Sequence, residues 1–339
     1  MTTPILELRH VTKVFAGGSS KREATVALDD MSLSLKADSS KIITVAGESG
    51  SGKTTMGMLL LGFYGPTLGS VLYDGMDISA MKREQMFQYR RNIQAIFQDP
   101  FAVYNPFYKV DNLLSIPIKN FKLASSQSES RTMMEEALTS VGLRPEETLG
   151  RYPHQLSGGQ RQRIAVARAL LLKPKLLIAD EPVSMVDASL RSTILKSLRA
   201  LNQDYGIPIL YITHDLTTAY HVSDYIMILY RGSVMEAGNV DKIIRDPQHP
   251  YTQLLIKSIP WPDPNLKWGD VDDMLVQSRT AFKESKGCKF ANRCPKAHDI
   301  CYTGHPELFG SESDRVVSCY LFKDSPVVSR EDLSRLFRD

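Results

Sequence analysis

Apolar and polar positions alternate along much of the first 40 residues of the chain. The apolar members of this pattern are Ile5, Leu6, Leu8, Met31, Leu33 and Leu35. Successive side chains of a strand point to opposite faces of a sheet, so a period of two predicts strands with one buried face. The pattern therefore predicts an antiparallel β layer over residues 1 to about 40.

Three later runs are largely apolar and do not alternate; they cover residues 42–45, 175–179 and 207–213. Such runs are typical of strands that are buried on both faces of a parallel sheet. Helical patterns cover residues 55–61, 130–141 and 160–172. Together these patterns predict an α/β fold with a parallel-sheet core, an antiparallel β layer and a mostly helical insertion at about 99–158.

A glycine-rich segment, GESGSGKT at residues 47–54, follows the first apolar run and precedes a helical pattern. It fits the phosphate-loop pattern G-x-x-x-x-G-K-[ST], in which backbone N–H groups and a helix start surround an anion. Lys53 is expected to reach the β- and γ-phosphates of a nucleotide, and the Thr54 hydroxyl is expected to bind Mg²⁺. The predicted phosphate-binding residues are Gly47, Glu48, Ser49, Gly50, Ser51, Gly52, Lys53, Thr54 and Thr55.

Two carboxylates, Asp180 and Glu181, follow directly after the second apolar run. Ligands of open α/β sheets bind at the carboxyl ends of the strands, so both side chains are expected at the nucleotide. Asp180 is suited to hold Mg²⁺, directly or through water. Glu181 is then available to polarise the attacking water as a general base.

A second anion site is predicted at the segment LSGGQ, residues 156–160, which opens another helical pattern. Its glycines leave backbone N–H groups accessible at a helix start. The residues of this predicted site are Ser157, Gly158, Gly159 and Gln160. A single domain seldom needs two such sites for one nucleotide.

The order of these motifs resembles that of ATP-binding-cassette (ABC) nucleotide-binding subunits, and the resemblance covers roughly residues 5 to 255. It implies a P-loop NTPase cassette that hydrolyses ATP with Mg²⁺. In that family, two cassettes form a head-to-tail dimer that sandwiches two ATP molecules. LSGGQ of one cassette covers the γ-phosphate of the ATP that is held by the phosphate loop of the other.

The resemblance also implies roles for four further residues. Gln98 matches the Q-loop glutamine, which contacts Mg²⁺ or the attacking water, and Asp187 matches the D-loop aspartate at the dimer interface. His214 matches the switch histidine at the γ-phosphate, so the predicted catalytic set is Lys53, Gln98, Glu181 and His214. Phe15 matches the aromatic residue that stacks on adenine, although a core position for it is the alternative.

The segment from Ser184 to Asp187 departs from the common SALD of this family, because Met185 and Val186 stand in place of alanine and leucine. We expect altered packing at the dimer interface and unchanged chemistry. Aromatic residues and prolines alternate in residues 100–117. In members that couple to membranes this region receives a helix of the membrane subunit; ordinary packing of the insertion is the alternative.

Composition changes after the HPYT segment at residues 249–252, and the region 245–325 resembles the oligopeptide and dipeptide branch of ABC importers. Members of this branch also serve nickel and some oligosaccharides. The expected division is a nucleotide-binding domain at 1–255 and a C-terminal extension at 256–339.

All four cysteines lie in this extension, at Cys288, Cys294, Cys301 and Cys319, spaced C-x5-C-x6-C-x17-C. Four thiolates suit a [4Fe-4S] cluster or a tetrahedral zinc ion. The close C-x2-4-C pairs of zinc sites are missing, so the wide spacing and the importer resemblance favour iron-sulfur. Free structural thiols are a further alternative, and two disulfides suit a reducing cytoplasm less well.

Charge and hydropathy restrict the remaining classes of function and location. The 41 basic and 38 acidic residues give a net charge of +3 without a long basic block, which argues against nucleic acid as a partner. The longest apolar run, near residues 58–64, is far below the roughly 20 residues of a membrane helix. We therefore expect a peripheral protein at the cytoplasmic face of the cell membrane.

The function implied by both resemblances is that of an ATPase subunit that powers import of peptides or a related small solute, such as an oligosaccharide or nickel. The implied partners are a second ATPase subunit, expected to be a paralogue, two transmembrane permease subunits and an extracytoplasmic solute-binding protein. The alternatives are a soluble ABC ATPase of DNA repair or translation, an exporter ATPase subunit, and a regulatory nucleotide sensor without useful turnover.

Overall fold

The structure of the protein is a computed structural model that describes residues 4–17, 24–99, 103–259 and 286–337. The strands are β1 (Leu6–Phe15), β2 (Thr25–Leu35), β3 (Ile42–Ala46), β4 (Leu68–Tyr73), β5 (Met76–Asp77), β6 (Ile93–Ile96), β7 (Leu176–Asp180), β8 (Ile209–Thr213), β9 (Tyr225–Tyr230), β10 (Ser233–Asn239), β11 (Leu308–Glu312), β12 (Arg315–Val317) and β13 (Val327–Val328). The helices are α1 (Lys53–Leu60), α2 (Arg83–Asn92), α3 (Val110–Asn120), α4 (Gln127–Ser140), α5 (Pro145–Thr148), α6 (Gly158–Leu170), α7 (Ala188–Tyr205), α8 (Leu216–Val222), α9 (Val240–Arg245), α10 (Pro250–Lys257) and α11 (Ile300–Thr303). None of the helices in these ranges has the length and apolar character that crossing a membrane requires.

The chain divides into two compact units. The first comprises residues 1–36, 43–79 and 213–339, and the second comprises residues 37–42 and 80–212. The predicted phosphate loop and the cysteines belong to the first unit. The LSGGQ segment and the Asp180–Glu181 pair belong to the second.

The first unit contains the antiparallel layer that the alternating pattern predicts. Strands β1 and β2 pair antiparallel, and the sheet runs in the order β2-β1-β4-β5. The apolar side chains of the alternation, such as Leu6, Leu8 and Leu33, are buried. A one-residue slip would turn these side chains to solvent, so their burial fixes the register of the layer.

A second sheet of the first unit begins with β3, which pairs parallel with β9. Strand β10 pairs antiparallel with β9, and β12, β11 and β13 follow it in antiparallel pairs. The last three strands come from the C-terminal extension. The extension therefore continues a sheet that contains β3, the strand leading into the phosphate loop.

The second unit holds the parallel strands β6, β7 and β8. Every residue of β7 and β8 is buried, as their largely apolar runs predict. The predicted helical insertion contains α3, α4 and α5, and both α3 and α4 pack against α6. Parallel pairs, an antiparallel layer and this insertion confirm the predicted fold class.

Helix α4 starts three residues before the predicted segment 130–141, and its N-terminal side chains explain the difference. The Ser126 hydroxyl accepts a hydrogen bond from the Glu129 N–H at 3.1 Å, and the Glu129 carboxylate accepts one from the Ser125 N–H at 2.6 Å. These contacts satisfy donors that a helix start leaves unpaired. The helix therefore begins at the polar cap, whereas the apolar pattern that predicted it begins later.

Candidate functional site

The phosphate loop lies between β3 and α1, and two of its glycines are required by close backbone contacts. Gly47 has φ +152°, and a Cβ there would lie 2.2 Å from the Leu229 carbonyl oxygen. Gly52 has φ +103°, and a Cβ there would lie 2.3 Å from the Ala27 carbonyl oxygen. Only glycine accepts this backbone and this proximity. The loop is thus pressed against neighbouring strands, and α1 starts directly after it.

Lys53 is the first residue of α1 and its side chain is buried against the loop. Its Nζ donates to the carbonyl oxygens of Gly47 and Glu48, both at 2.8 Å, and contacts the Ser51 hydroxyl at 3.4 Å. These contacts hold the ammonium at the centre of the loop. Thr54, in the same turn, is exposed.

Phe15 lies at the end of β1 and is 38% exposed. Its ring packs edge-on against Tyr64 with 5.6 Å between ring centroids, and the Lys13 ammonium lies 5.2 Å from the Phe15 centroid. The ring is therefore a surface aromatic with a cation beside it. The role of Phe15 at adenine stays a prediction.

Glu181 and Gln98 lie together in the second unit. Gln98 Nε2 donates to Glu181 Oε2 at 3.0 Å, and the Glu181 N–H donates to the Ile212 carbonyl at 2.8 Å. Glu181 has φ +46°, a left-handed backbone that few residues other than glycine adopt. Strained backbone of this kind is common at functional sites, where surrounding contacts hold it in place. Buried Asp180 precedes Glu181 at the end of β7.

The LSGGQ segment forms the start of α6. The Ser157 hydroxyl accepts from the Gln160 N–H at 3.2 Å, while Gln160 Oε1 accepts from the Ser157 N–H at 2.9 Å. This reciprocal capping box fixes the serine at the helix end. A Cβ at Gly159 would lie 2.5 Å from Leu190 Cδ1, so the glycine lets α6 approach α7 closely, whereas Gly158 has its nearest contact at 3.9 Å.

The predicted D-loop aspartate and switch histidine both lie at helix starts. Asp187 is the exposed residue before α7, and the preceding Met185 is 58% exposed while Val186 is buried. His214 is exposed after β8, next to Asp215, whose carboxylate accepts from the Thr217 N–H at 2.9 Å and caps α8. His214 thus projects from a firmly capped strand-to-helix turn.

The four cysteines converge in the first unit, where all of them line one small, apolar cavity. None is in a disulfide. Burial raises the pKa of Cys288 and Cys294, and it raises that of Cys319 to about 11; neighbouring cysteines raise all three further. Cys301 Sγ lies 3.6 Å from His298 Nδ1.

The donor set was predicted to hold a cluster or a zinc ion. Within the described ranges, no group of three or more His, Cys, Asp and Glu side chains is arranged to hold a metal ion. The single-ion geometry that zinc needs is therefore missing, and neither metal prediction gains support from this arrangement. The convergence of four thiols at one cavity matches a four-thiolate donor set by residue type and placement alone.

Comparison with known proteins adds independent information. Residues 28–184 match the family model described as ABC transporter, and residues 235–301 match the one described as oligopeptide/dipeptide transporter, C-terminal region. The oligopeptide transport ATP-binding protein AppF of Bacillus subtilis (strain 168) is 38% identical over 327 residues, covering 94% of this chain and 97% of AppF. The chain belongs to the ABC transporter family. The resemblance that the motifs indicated is thereby confirmed.

Solved structures of other ABC cassettes resemble the structure of this ABC ATPase. A dimeric post-hydrolysis state of the cassette MJ0796 bound to ADP and Pi has a TM-score of 0.62 at 30% identity and covers 69% of this chain and 98% of that chain. The structure of cbiO1 from Clostridium perfringens, part of the ABC transporter complex cbiONQ, has a TM-score of 0.61 at 27% identity and covers 72% of this chain and 92% of that chain. These likenesses confirm the cassette fold and the predicted ATPase class.

The HPYT segment of this ABC ATPase, residues 249–252, has a structural role that the sequence did not indicate. The His249 side chain is buried, and its ring Nδ1 accepts from the Tyr251 backbone N–H at 3.0 Å. The backbone N–H of His249 donates to Glu236 Oε2 at 3.0 Å. Pro250 occupies the first turn of α10, where its missing N–H costs nothing. Burial lowers the pKa of His249 to about 3, so the ring is neutral and serves as a helix cap.

Sequence reasoning missed the residues that connect the extension of this ABC ATPase to its phosphate loop. Arg293 makes two hydrogen bonds with the Glu48 carboxylate, at 2.9 and 3.0 Å. The Tyr251 hydroxyl accepts from the Glu48 N–H at 3.0 Å. Arg293 and Glu48 are 245 positions apart, so no local pattern signals their contact. Tyr251 was visible only as part of the HPYT segment.

Proposed function

We propose that the chain is the ATP-hydrolysing subunit of an importer that takes up peptides or a related small solute. The C-terminal region match and the naming of AppF as an oligopeptide transport protein support this proposal over a soluble repair or translation ATPase and over an exporter subunit. The observation that carries the hydrolytic part is the contact between Gln98 and Glu181, because it joins two predicted catalytic groups that are 83 positions apart.

Nucleotide binding is assigned to the phosphate loop. The backbone N–H groups from Gly47 to Thr54 and the start of α1 supply positive potential to the phosphates, and Lys53 supplies a charge at the centre of the loop. The adenine is assigned to the exposed ring of Phe15. ATP is the substrate, and its affinity depends on how well this loop is held in place.

Magnesium is assigned to oxygen donors of the types it prefers, and the residues present fit this requirement. These donors are the Thr54 hydroxyl, the Gln98 amide oxygen and the Asp180 carboxylate. The ion supplies charge neutralisation at the β- and γ-phosphates when bound. Thr54 is exposed, and Asp180 is buried at a strand end, so the carboxylate has little competition from bulk water.

Water activation is assigned to Glu181. Its carboxylate accepts the proton of the attacking water as the water oxygen adds to the γ-phosphorus. The bond from that phosphorus to the β–γ bridging oxygen breaks, so ADP and inorganic phosphate leave. The Gln98 amide donates to Glu181 Oε2 at 3.0 Å and so orients the carboxylate. His214 is assigned to the γ-phosphate, where an imidazole donor stabilises the charge that develops.

The second anion site is assigned to the ATP of a partner cassette in a head-to-tail dimer. The residues that contact this ATP across the interface are then Ser157, Gly158, Gly159 and Gln160, together with Asp187. The capping box holds the Ser157 side chain. Met185, two residues before Asp187, contributes an exposed apolar surface. The partner is proposed to be a paralogue.

Transport is assigned to other chains, since this one provides ATP hydrolysis. We assign two permease subunits and an extracytoplasmic solute-binding protein as partners, and the cytoplasmic face of the membrane as the location. Phe107 is 86% exposed and Tyr108 is 55% exposed at the start of the helical insertion, which suits an apolar contact with a permease helix. Phe101 of the same predicted segment lies outside the described residues.

The deciding experiment is an affinity purification from gently solubilised native membranes, with mass spectrometry of the proteins that accompany the tagged chain. Recovery of two multi-spanning subunits and a solute-binding protein supports the proposal. Recovery of ribosomal or DNA-bound proteins, or of no membrane protein, overturns it. A Phe107→Ser variant serves as the matched test of the docking contact and should lose the permease subunits while keeping ATPase activity.

The cysteines are assigned to a [4Fe-4S] cluster that braces the extension, with zinc as the alternative. The assignment rests on residue type and sequence spacing: four thiols, widely spaced along the chain, line one cavity, although their side chains are not arranged around a single ion. Anaerobic purification followed by iron, sulfide and zinc analysis tests this assignment. Iron and sulfide in equal amounts support it, whereas zinc alone, or no metal, refutes it; a Cys319→Ser variant is the matched control.

A further inference from the structure

The cysteine-bearing segment 288–294 carries two basic residues that reach structural parts of the phosphate loop. Arg293 Nη1 and Nη2 bind Glu48 Oε2 and Oε1 at 2.9 and 3.0 Å. Lys289 Nζ donates to the Arg231 carbonyl at 2.8 Å, and the next residue, Gly232, donates its N–H to the Ser51 carbonyl at 2.8 Å. One short segment therefore supports the loop on both sides, directly at Glu48 and indirectly at Ser51.

Arg293 is shielded and held in place. Its side chain is only 14% exposed, and its guanidinium lies 5.7 Å from the ring centroids of both Tyr230 and Phe290. A fork-to-fork pair of this type fixes orientation as well as distance, and shielding strengthens it relative to a surface pair. The hydrogen bonds that Arg293 donates to Glu48 and Tyr230 raise the pKa of Arg293 above its usual range.

Glu48 is fixed at each of its polar groups. Its side chain pairs with Arg293, its N–H donates to the hydroxyl of buried Tyr251 at 3.0 Å, and its carbonyl accepts from Lys53 Nζ at 2.8 Å. The same carbonyl accepts from the Ser51 N–H at 3.1 Å. Movement of Glu48 would therefore move Lys53 and the loop N–H groups together.

We infer that Arg293 is a positioning residue for the phosphate loop: it holds Glu48, and through Glu48 the loop and Lys53, in the arrangement that binds the phosphates of ATP. The C-terminal extension thereby sets the affinity of the cassette for its nucleotide. This inference rests on the proposed assignment of the phosphate loop to ATP. It adds a part of the chain that the nucleotide motifs do not include.

Arg293 could affect ATP binding by positioning the loop or by its positive charge alone, and these two roles predict opposite effects of Glu48→Gln on ATP affinity. If Arg293 attracts ATP only by its charge, Glu48→Gln removes a negative charge near the phosphates and tightens binding. If Arg293 acts through Glu48, both Arg293→Ala and Glu48→Gln loosen the loop and weaken ATP binding. The double variant should then bind no worse than either single one, because both changes remove one shared interaction.

The experiment measures binding of Mg-ATP to the purified full-length protein by calorimetry, together with KM and kcat of hydrolysis. We expect Arg293→Ala and Glu48→Gln each to raise Kd and KM about tenfold, with kcat changed less than about threefold because Gln98 and Glu181 are untouched. Arg293→Lys keeps the charge but not the fork, so it should restore less than half of the lost binding free energy.

Two controls separate this role from general stability and from the proposed site. Arg330→Ala breaks a comparable pair between the extension and β2, since Arg330 Nη1 lies 3.1 Å from Asp30 Oδ2, and it should leave Kd unchanged. Lys53→Ala should abolish ATP binding; if it does not, the proposed nucleotide site itself is wrong. An unchanged Kd for ATP in Arg293→Ala, or tighter ATP binding in Glu48→Gln, would overturn the inference. So would a double variant whose loss of ATP binding equals the sum of the two single losses. If Arg293→Ala does not fold, the Kd of Glu48→Gln alone decides the matter.

Discussion

The side-chain amide of Gln98 donates to the carboxylate of Glu181 at 3.0 Å. Gln98 follows β6 and Glu181 follows β7, and these two strands pair in parallel, with Ile96 opposite Ala179. Both groups therefore leave the carboxyl edge of the same strand pair. An amide donor restricts the orientation of the carboxylate, as a positioned general base requires.

Glu181→Gln should lower kcat for ATP hydrolysis by about 100-fold or more, since a positioned general base contributes roughly 10²–10⁴ in rate. ATP binding should persist, because the substitution preserves shape and removes only the proton acceptor. Steady-state hydrolysis and Mg-ATP calorimetry measure the two effects. Hydrolysis as fast as that of the parent protein would show that the general base is another group.

Gln98→Ala should lower kcat about tenfold, since it removes one hydrogen bond to a charged group without removing the base. In the Glu181→Gln background the same substitution should have little further effect, because the carboxylate that Gln98 orients is already absent. Hydrolysis rates of the four proteins in this cycle measure the coupling. Fully independent effects would mean that Gln98 acts separately from Glu181.

Gly47→Ala should disrupt the phosphate loop. Its Cβ would lie 2.2 Å from a backbone oxygen of β9, which cannot move aside as a flexible side chain can. We expect a loss of about 2–4 kcal/mol in free energy of unfolding and no detectable ATP binding. Gly50→Ala is the matched control: it has φ +79° but no atom within 4 Å, so a smaller loss in urea unfolding is expected. Equal losses would contradict the role assigned to the close contact.

Met185→Ala should weaken ATP-dependent dimer formation if Met185 lies in the head-to-tail interface. Its 58% exposure makes the side chain available for burial by a partner, and losing it should raise the dimer Kd about tenfold. Sedimentation in the presence of ATP, in a Glu181→Gln background that retains the nucleotide, measures this. Met76→Ala, a 41% exposed methionine in the antiparallel layer, should have no effect.

The pH dependence of stability should report the burial of His249. Its folded pKa of about 3 lies below the usual value of 6.5, so the stability it contributes is complete above about pH 6.5 and is lost as pH falls toward 3. Between about pH 7 and about pH 5 this amounts to about 2 kcal/mol.

The measurement compares urea unfolding of the parent protein and His249→Asn, which retains a capping oxygen but cannot be protonated. The pKa of the neighbouring Glu236 is raised by burial, so this carboxyl contributes the opposite pH dependence in both proteins and cancels in the difference. A variant that loses as much stability as the parent over this range would show that His249 is not the group responsible.

Sequence predicted the regular parts of this molecule because their signals are local. Alternation placed β1 and β2, apolar runs placed β7 and β8, and each nucleotide motif lay at the junction of a strand or loop with a helix. The α4 start was misplaced because a polar cap, Ser126 to Glu129, precedes the apolar pattern. These successes and this error have one cause, which is that period and capping are properties of neighbouring residues.

Contacts between residues far apart in the sequence could not be predicted from these local patterns. Nothing in the sequence near Arg293 indicates Glu48, and nothing near Gln98 specifies the hydrogen bond to Glu181; both depend on how distant segments pack. The four cysteines were placed together by their clustering along the chain, and the structure brings them to one cavity. The spacing of the four cysteines along the chain does not determine which metal group they bind, because that depends on the geometry and electronic properties of the metal group.

Strand β12 of the C-terminal extension pairs with β10, and β11 and β13 lie beyond it. The extension therefore occupies the hydrogen-bonding edge of β10, a seven-residue strand, and leaves the two-residue β13 as the new edge. Long open edges recruit strands from other molecules, whereas very short ones resist this. A chain shortened after α10 would expose the edge of β10 and should self-associate. The extension that contacts the phosphate loop through Arg293 therefore also covers this edge.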